Sequence, residues 1–457
     1  MPSTDAASAV RSLSGFFDDW LAFQRWYRQV PALAVGIAVG DEVVFTAAHG
    51  VTDLDRRTPA TPATRFRIAS HSKLFTATAI MQLVEDGQLR LDDRVADHLD
   101  WFAVDDGDSE LVHVTVRQLL SHSSGLTRDG DTTHWFDDNF PSLDDIVAQV
   151  GTMPVYATAE HLKYSNVGFT IAGQLIEAAT GRSYEDHVTD AILAPLGLSS
   201  TTPDLPDDLN EHAMGYPRWL PDRERPPYDH VRANVMNSAT GFSSTVDDLL
   251  RWYGAHRFGS GELLHDRSKR EMQRPQFEGE DMRWGLGFSI DKVAEMQFVS
   301  HGGGYPGFIT YSGLEQQHGL TIVVLTNAAD GPARNLFAGI AAMCAKAIKG
   351  DFDGDVEFDA DAADELAGFY EHRWAISQVA RIGSKMVTAD PSLLDPTMAL
   401  LVLEHDRDHD HDWSFRYPTT IPMASPGELV RFEPGDPPTV RGPSSPPVPR
   451  NDSLLGE

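Results

Sequence analysis

The order in which two hydrophobic periods occur constrains this chain more than any other feature. Residues 33–39 and 43–48 are short apolar runs around Gly40-Asp41-Glu42, a hairpin signal. Residues 285–290, 297–300, 307–311 and 320–326 again read as short strands. The long stretch between them has helical spacing. It holds an apolar run at 75–83 that continues back to Ser70 and an element at 116–120 with Thr115 as N-cap. Further helices follow at 164–180, closed by Gly181, and at 246–253. A helix at 15–29, with Phe16, Trp20, Phe23 and Trp26 on one face, precedes the first hairpin, and an Ala-rich helix at 335–348 follows the last strand. Strands so far apart along the chain are most simply read as one sheet. The expected fold is therefore α+β. An antiparallel sheet flanked by helices is completed from both ends of a domain spanning 1–350, with a helical subdomain inserted.

The composition changes after that domain. Residues 351–364 are Asp-rich and read as an acidic linker. The runs at 376–382, 385–388, 399–403, 413–417 and 429–432 then predict a small all-β domain, 365–441. Pro and Ser clusters from Gly442 onward predict a disordered tail, 442–457.

Charge and cysteine content exclude several functions. With 37 basic and 68 acidic side chains the net charge is −31, the wrong sign for a nucleic-acid binder or a binder of anionic lipid. The acidity fits either a GC-rich genome or a protein working in concentrated salt. Cys344 is the only cysteine, so no disulfide framework or thiolate metal site is expected, and neither is any other metal or cofactor. The run from His405 to Asp412 carries ligand-type residues but reads as a solvated hairpin loop. No stretch reaches membrane-spanning length. Residues 1–8 carry Asp5 and no basic region, so a secretory leader is not expected and the default compartment is the cytoplasm.

Three short segments carry chemistry. In Ser70-His71-Ser72-Lys73 the serine and lysine stand at i and i+3, on one face of a helix, where they can touch. Helix N-terminal N–H groups stabilise negative charge, and burial there lowers an ammonium pKa, so Lys73 can take the Ser70 proton. In Lys163-Tyr164-Ser165-Asn166 the Tyr164 phenol can relay a proton, and Asn166 can orient Lys73 or cap a helix. In His301-Gly302-Gly303-Gly304 the glycines permit close approach of another backbone, and a Gly304 N–H can complete an oxyanion hole.

Together with the flanks at 114–126 and 238–249 and Trp284-Gly285-Leu286-Gly287, these motifs resemble the serine β-lactamase and penicillin-binding-protein-like superfamily. More narrowly, they resemble its stand-alone CubicO-type hydrolases, over about residues 16–349. The resemblance implies Ser70 as acylated nucleophile, Lys73 as general base and Tyr164 as proton relay. It implies Asn166, His301, Gly303 and Gly304 as orienting and substrate-binding residues. Two departures narrow it: the second motif is Tyr-Ser-Asn, and the third begins with His301 where many relatives carry Lys. A neutral imidazole suits a substrate carboxylate poorly, so an ester or D-aminopeptidase-like amide bond in a small molecule or peptide is expected. The alternatives are a β-lactamase, a D-Ala-D-Ala carboxypeptidase, or a catalytically silent binding module. The C-terminal β domain loosely resembles the lipocalin-like barrel of some relatives. Oligomeric state is left open.

Overall fold

The computed structural model describes residues 4–102, 110–150, 153, 155, 162–278, 282–356, 358–406, 413–419, 426–443 and 445–455. Most of the run read as a solvated hairpin loop, 407–412, lies outside them.

The expected α+β architecture is present. β1 (Ala32–Val39), β2 (Glu42–Asp53) and β3 (Thr58–Pro59) open a nine-stranded antiparallel sheet. Off this sheet, β4 (Phe66–Arg67) and β5 (Ser243–Ser244) form a separate two-stranded ladder. β6 (Phe277–Glu278), β7 (Arg283–Trp284), β8 (Ser289–Val293), β9 (Met296–Tyr305), β10 (Phe308–Glu315) and β11 (Leu320–Thr326) complete the nine. The order is β3-β2-β1-β11-β10-β9-β8-β7-β6, so the first hairpin is joined to the last strand. The β1–β11 ladder runs from Leu33↔Thr326 to Val39↔Leu320.

Alternation explains why both sheet faces are covered. Leu33, Val35, Ile37 and Val39 of β1 belong to a core shared with α1 (Thr4–Arg11), α2 (Ser14–Tyr27) and the helix Ala333–Ile348. Ala32, Ala34 and Ala38 face the second core, shared with α3 (Ser72–Glu85) and the helices Asn166–Thr180 and Val246–Ala255. Small residues on that side bring the helices close: a Cβ at Gly36 would stand 2.3 Å from Val246 Cγ1. Cys344 lies fully buried on the Ala-rich helix.

The C-terminal part carries two further antiparallel sheets. β12 (Gly368–His372), β13 (Ala375–Ile382), β14 (Lys385–Ala389) and β15 (Leu401–Val402) form one sheet. β16 (Glu404–His405), β17 (Ser414–Arg416), β18 (Leu429–Glu433), β19 (Thr439–Arg441) and β20 (Val448–Pro449) form the other. Two segments around these sheets carry structure that composition does not show. Part of the acidic linker is a helix, Ala360–Glu365, with Asp359 accepting from the N–H groups of Asp361 and Ala362. Among the described residues after Gly442, β20 pairs with β19, Arg450 bridges to Tyr370, and Asp452–Leu455 forms a turn of 3-10 helix. Composition suggested disorder because it does not show the edge to which Val448 pairs.

The first of these sheets docks on α2. Trp20 Nε1 donates to the Leu393 carbonyl (3.1 Å), Gln24 Nε2 to that of Pro391 (2.6 Å), and Gln378 Nε2 to that of Phe16 (2.9 Å). No helix among the described residues is long and apolar enough to cross a membrane.

Candidate active site

Ser70 sits in a turn of 3-10 helix, Ala69–His71, that leads directly into α3. Ala69 is held at φ +50°, a conformation an L side chain rarely adopts, so the turn is strained at the residue before Ser70. Its neighbours hold it there. Ser72 Oγ donates to the Ala69 carbonyl (2.6 Å) and accepts from the Phe242 N–H (3.0 Å). His71 lies buried with Nδ1 on the Ile68 carbonyl (2.8 Å) and Nε2 on Ser312 Oγ (2.7 Å). A carbonyl only accepts, so Nδ1 carries a proton. Burial lowers its pKa to about 4. Ser70 itself stays partly exposed.

Lys73 is completely buried one turn on. Its Nζ lies 2.7 Å from Asn166 Oδ1, 2.7 Å from the Ala239 carbonyl and 3.2 Å from Ser70 Oγ. Two of these partners only accept. A neutral amine therefore places its two N–H bonds on them and turns its lone pair to the Ser70 hydroxyl. Burial pushes the Lys73 pKa well below the usual lysine value, which favours that neutral form. The aromatic faces of Tyr164 and Phe169 stand 4.8 and 5.7 Å from Nζ.

Tyr164 is partly buried directly before the helix Asn166–Thr180. Burial raises its phenol pKa, against the opposing effect of a hydrogen bond with Ser70, so the group keeps its proton. Asn166 is not the cap of that helix. Ser165 is, with its Oγ accepting from the Gly168 N–H (2.8 Å), which leaves the Asn166 amide free to face Lys73.

The glycine run belongs to strand β9 and is not a loop between strands. β8 pairs with β9 only as far as Ser289↔Ser300, so among the described residues His301 to Tyr305 have no strand partner on that side. The β9–β10 hairpin turns on Pro306 and Gly307 with Tyr305 opposite Phe308. In antiparallel alternation this points the Gly304 N–H away from β10, out of the free edge. Gly303 explains the close approach: a Cβ there would lie 2.3 Å from the Ile68 carbonyl oxygen and 2.2 Å from Thr310 Oγ1. His301 is buried, with Nδ1 on the Gly302 carbonyl (2.6 Å) and its ring 5.4 Å from Trp284 and 6.3 Å from Tyr164. Burial, with Lys73 and His71 nearby, holds it neutral by pushing its pKa far down.

Several residues at the site carry no local signal in the sequence. Asp129 accepts from Asn166 Nδ2 (2.5 Å). His122, with φ +57°, packs tilted against the Tyr164 ring at 4.2 Å and accepts the Ser165 N–H on Nδ1 (3.2 Å). Arg67 pairs with Asp204 (3.1 Å), both buried, and lies over the Tyr305 ring at 4.2 Å. A cavity of about 320 Å³ opens beside Gly304, walled by Trp135, Phe136, Tyr228, Tyr305 and Ile309. The described residues hold no cluster of three or more His, Cys, Asp or Glu suited to a metal.

The chain is similar to known proteins in sequence and in fold. The chain is 28% identical over 313 residues to penicillin-binding protein 4* of Bacillus subtilis, covering 64% of this chain and 66% of that protein. It is 28% identical over 227 residues to protein flp of Staphylococcus aureus strain MW2, covering 49% of this chain and 45% of flp. It thus spans about half to two thirds of the length of these curated relatives. The octameric penicillin-binding protein homologue from Pyrococcus abyssi superposes with a TM-score of 0.63 at 21% identity, covering 95% of this chain and 99% of that one. D-amino acid amidase from Ochrobactrum anthropi SV3 superposes at 0.61 and 24% identity, covering 76% and 100%. At these identities the superpositions speak for the fold alone. The Beta-lactamase family profile matches residues 17–344, the span that carries the sheet, α3 and the Ser70 turn, and this chain belongs to that family.

Proposed function

We propose that the chain is a serine hydrolase that forms an acyl-enzyme on Ser70 and cleaves an ester or an amide bond of a small molecule or peptide. The single observation that carries this reading is the environment of Lys73, with two pure acceptors and the Ser70 hydroxyl around one buried nitrogen. The Ser70 proton moves to Lys73 Nζ as Oγ attacks the substrate carbonyl. The N–H groups of Ser70 and Gly304 hold the developing oxyanion. Tyr164, which keeps its proton, delivers one to the leaving group and is reprotonated through Lys73. Water then releases the acyl group by the reverse path.

An ester or D-aminopeptidase-like substrate is favoured over a β-lactam because His301 is neutral and packed behind Tyr164, offering no fixed cation for a carboxylate. Titration with a fluorophosphonate, followed by mapping of the adduct, tests the nucleophile. Labelling at Ser70 that disappears in Ser70→Ala is expected. A folded protein that takes no label there refutes the reading and leaves a non-catalytic binding role. Nitrophenyl esters, D- and L-aminoacyl amides and a chromogenic cephalosporin then rank the substrate classes.

A further inference from the structure

Asn166 faces Lys73 through an amide whose two ends are nearly the same shape but opposite in hydrogen-bonding character. Turned one way, its oxygen accepts from Lys73. Turned the other, its NH2 group points at the lysine nitrogen and disturbs the base. Something must choose. The loop 128–129 lies against the start of the helix Asn166–Thr180, where the Arg128 carbonyl accepts the N–H groups of Asn166 (2.7 Å) and Val167 (3.2 Å). From there Asp129 Oδ1 takes Asn166 Nδ2 at 2.5 Å and Trp135 Nε1 at 3.0 Å.

We propose that Asp129 is a positioning residue for the Ser70–Lys73 pair: its carboxylate fixes the Asn166 amide with the oxygen on Lys73 and supplies the counter-charge for the lysine when it takes the serine proton. The inference rests on the reading of Ser70 and Lys73 given above. An ionised carboxylate only accepts, so a flipped Asn166 would set two acceptors against each other on one side and two donors on the other. The indole of Trp135 holds the same oxygen, and Arg128 Nε lies 3.3 Å from Oδ2, so the carboxylate is itself held on two sides. His134 Nε2 stands 3.8 Å away.

The charge acts in the expected direction. The titratable groups that face Lys73 are Arg128, Asp129, the protonated phenol of Tyr164 and the neutral rings of His71, His122 and His301. Among them Asp129 works to raise the lysine pKa, against burial and against Arg128. During acylation the O–H bond of Ser70 breaks and an N–H bond forms on Lys73. A fixed negative charge behind Asn166 stabilises the ammonium so formed.

Two variants separate orientation from charge. Asp129→Asn keeps an acceptor oxygen for Asn166 and removes the charge. Asp129→Ala removes both. The readout is the pH profile of Ser70 acylation by a fluorophosphonate in the full chain. In Asp129→Asn the acid limb moves to lower pH, because the lysine loses the charge that raised its pKa. In Asp129→Ala the plateau rate also falls, by about 100-fold, as the amide becomes free to turn. If Asp129→Ala does not fold, the limb of the near-isosteric Asp129→Asn decides alone. A parent chain that labels at Ser70, with the acid limb of Asp129→Asn unmoved, overturns the role of Asp129 only. A folded parent that does not label refutes the underlying reading and the inference with it.

Discussion

Replacing Gly303 by alanine tests whether the approach of β9 to the Ser70 turn is what builds the oxyanion hole. The added Cβ would lie 2.3 Å from the Ile68 carbonyl oxygen and 2.2 Å from Thr310 Oγ1, where ordinary contacts begin near 3.4 Å. The Thr310 hydroxyl can rotate away. The Ile68 carbonyl cannot, because Nδ1 of buried His71 donates to it and it belongs to the backbone that enters the strained Ala69. The strand or the turn must move by about 1 Å. Overpacking of this kind costs about 1–3 kcal/mol of stability. A displacement of about 1 Å at a reacting centre lowers the rate by about 100-fold. Gly304→Ala is the control, since a Cβ there meets nothing nearer than 3.8 Å and the backbone N–H is retained. Burst titration with a nitrophenyl ester and thermal melts of both variants supply the comparison. Gly303→Ala is expected to acylate about 100-fold more slowly and to melt lower, whereas Gly304→Ala melts like the parent. Acylation of Gly303→Ala at the parental rate with an unchanged melt refutes the reasoning.

Tyr164→Phe keeps the ring that packs on His122 and removes only the hydroxyl, so the melt should hold while the turnover rate falls by about 10²–10⁴. Acylation should rise with pH through the lowered pKa of Lys73 and then level off, because the neutral amine is the base; a rate that falls with rising pH over that range rules Lys73 out. Asp204→Ala leaves Arg67 buried without its charge partner and frees the N–H groups of Leu205 and Ala233, a loss of about 3–5 kcal/mol measurable by denaturant titration. With a net charge of −31, the melting temperature should climb from low to molar salt, and a flat profile assigns the acidity to genome composition instead.

The parts legible in the sequence were those whose signal is local. Ser70 and Lys73 were readable because three-residue spacing survives a 3-10 start to the helix. The strands of both sheet regions were readable from alternation. The glycine run was harder to place, because glycine has little strand preference of its own and β9 is specified by its pairing with β10. Asp129 and His122 were invisible in their roles, since their partners stand 37 and 43 residues away along the chain. The neutrality of His301 was foreseen from its chemistry, but its burial behind Tyr164 depends on Trp284 and the fold around it. The short strand at Val448 and Pro449 was not legible for a similar reason: it exists only against β19.

An unpaired stretch of strand backbone normally invites a second chain to add itself to the sheet. Residues 301–305 of β9 are such a stretch, and glycines leave them without the charged side chains that usually discourage association. Here the Ser70 turn closes one flank, and Trp135 and Phe136 wall the cavity beside Gly304. The walls that shape a substrate pocket thus also act as a guard against self-association. Loop changes that widen this pocket to admit larger substrates should carry a second consequence, a concentration-dependent tendency to aggregate, visible by light scattering before any loss of fold.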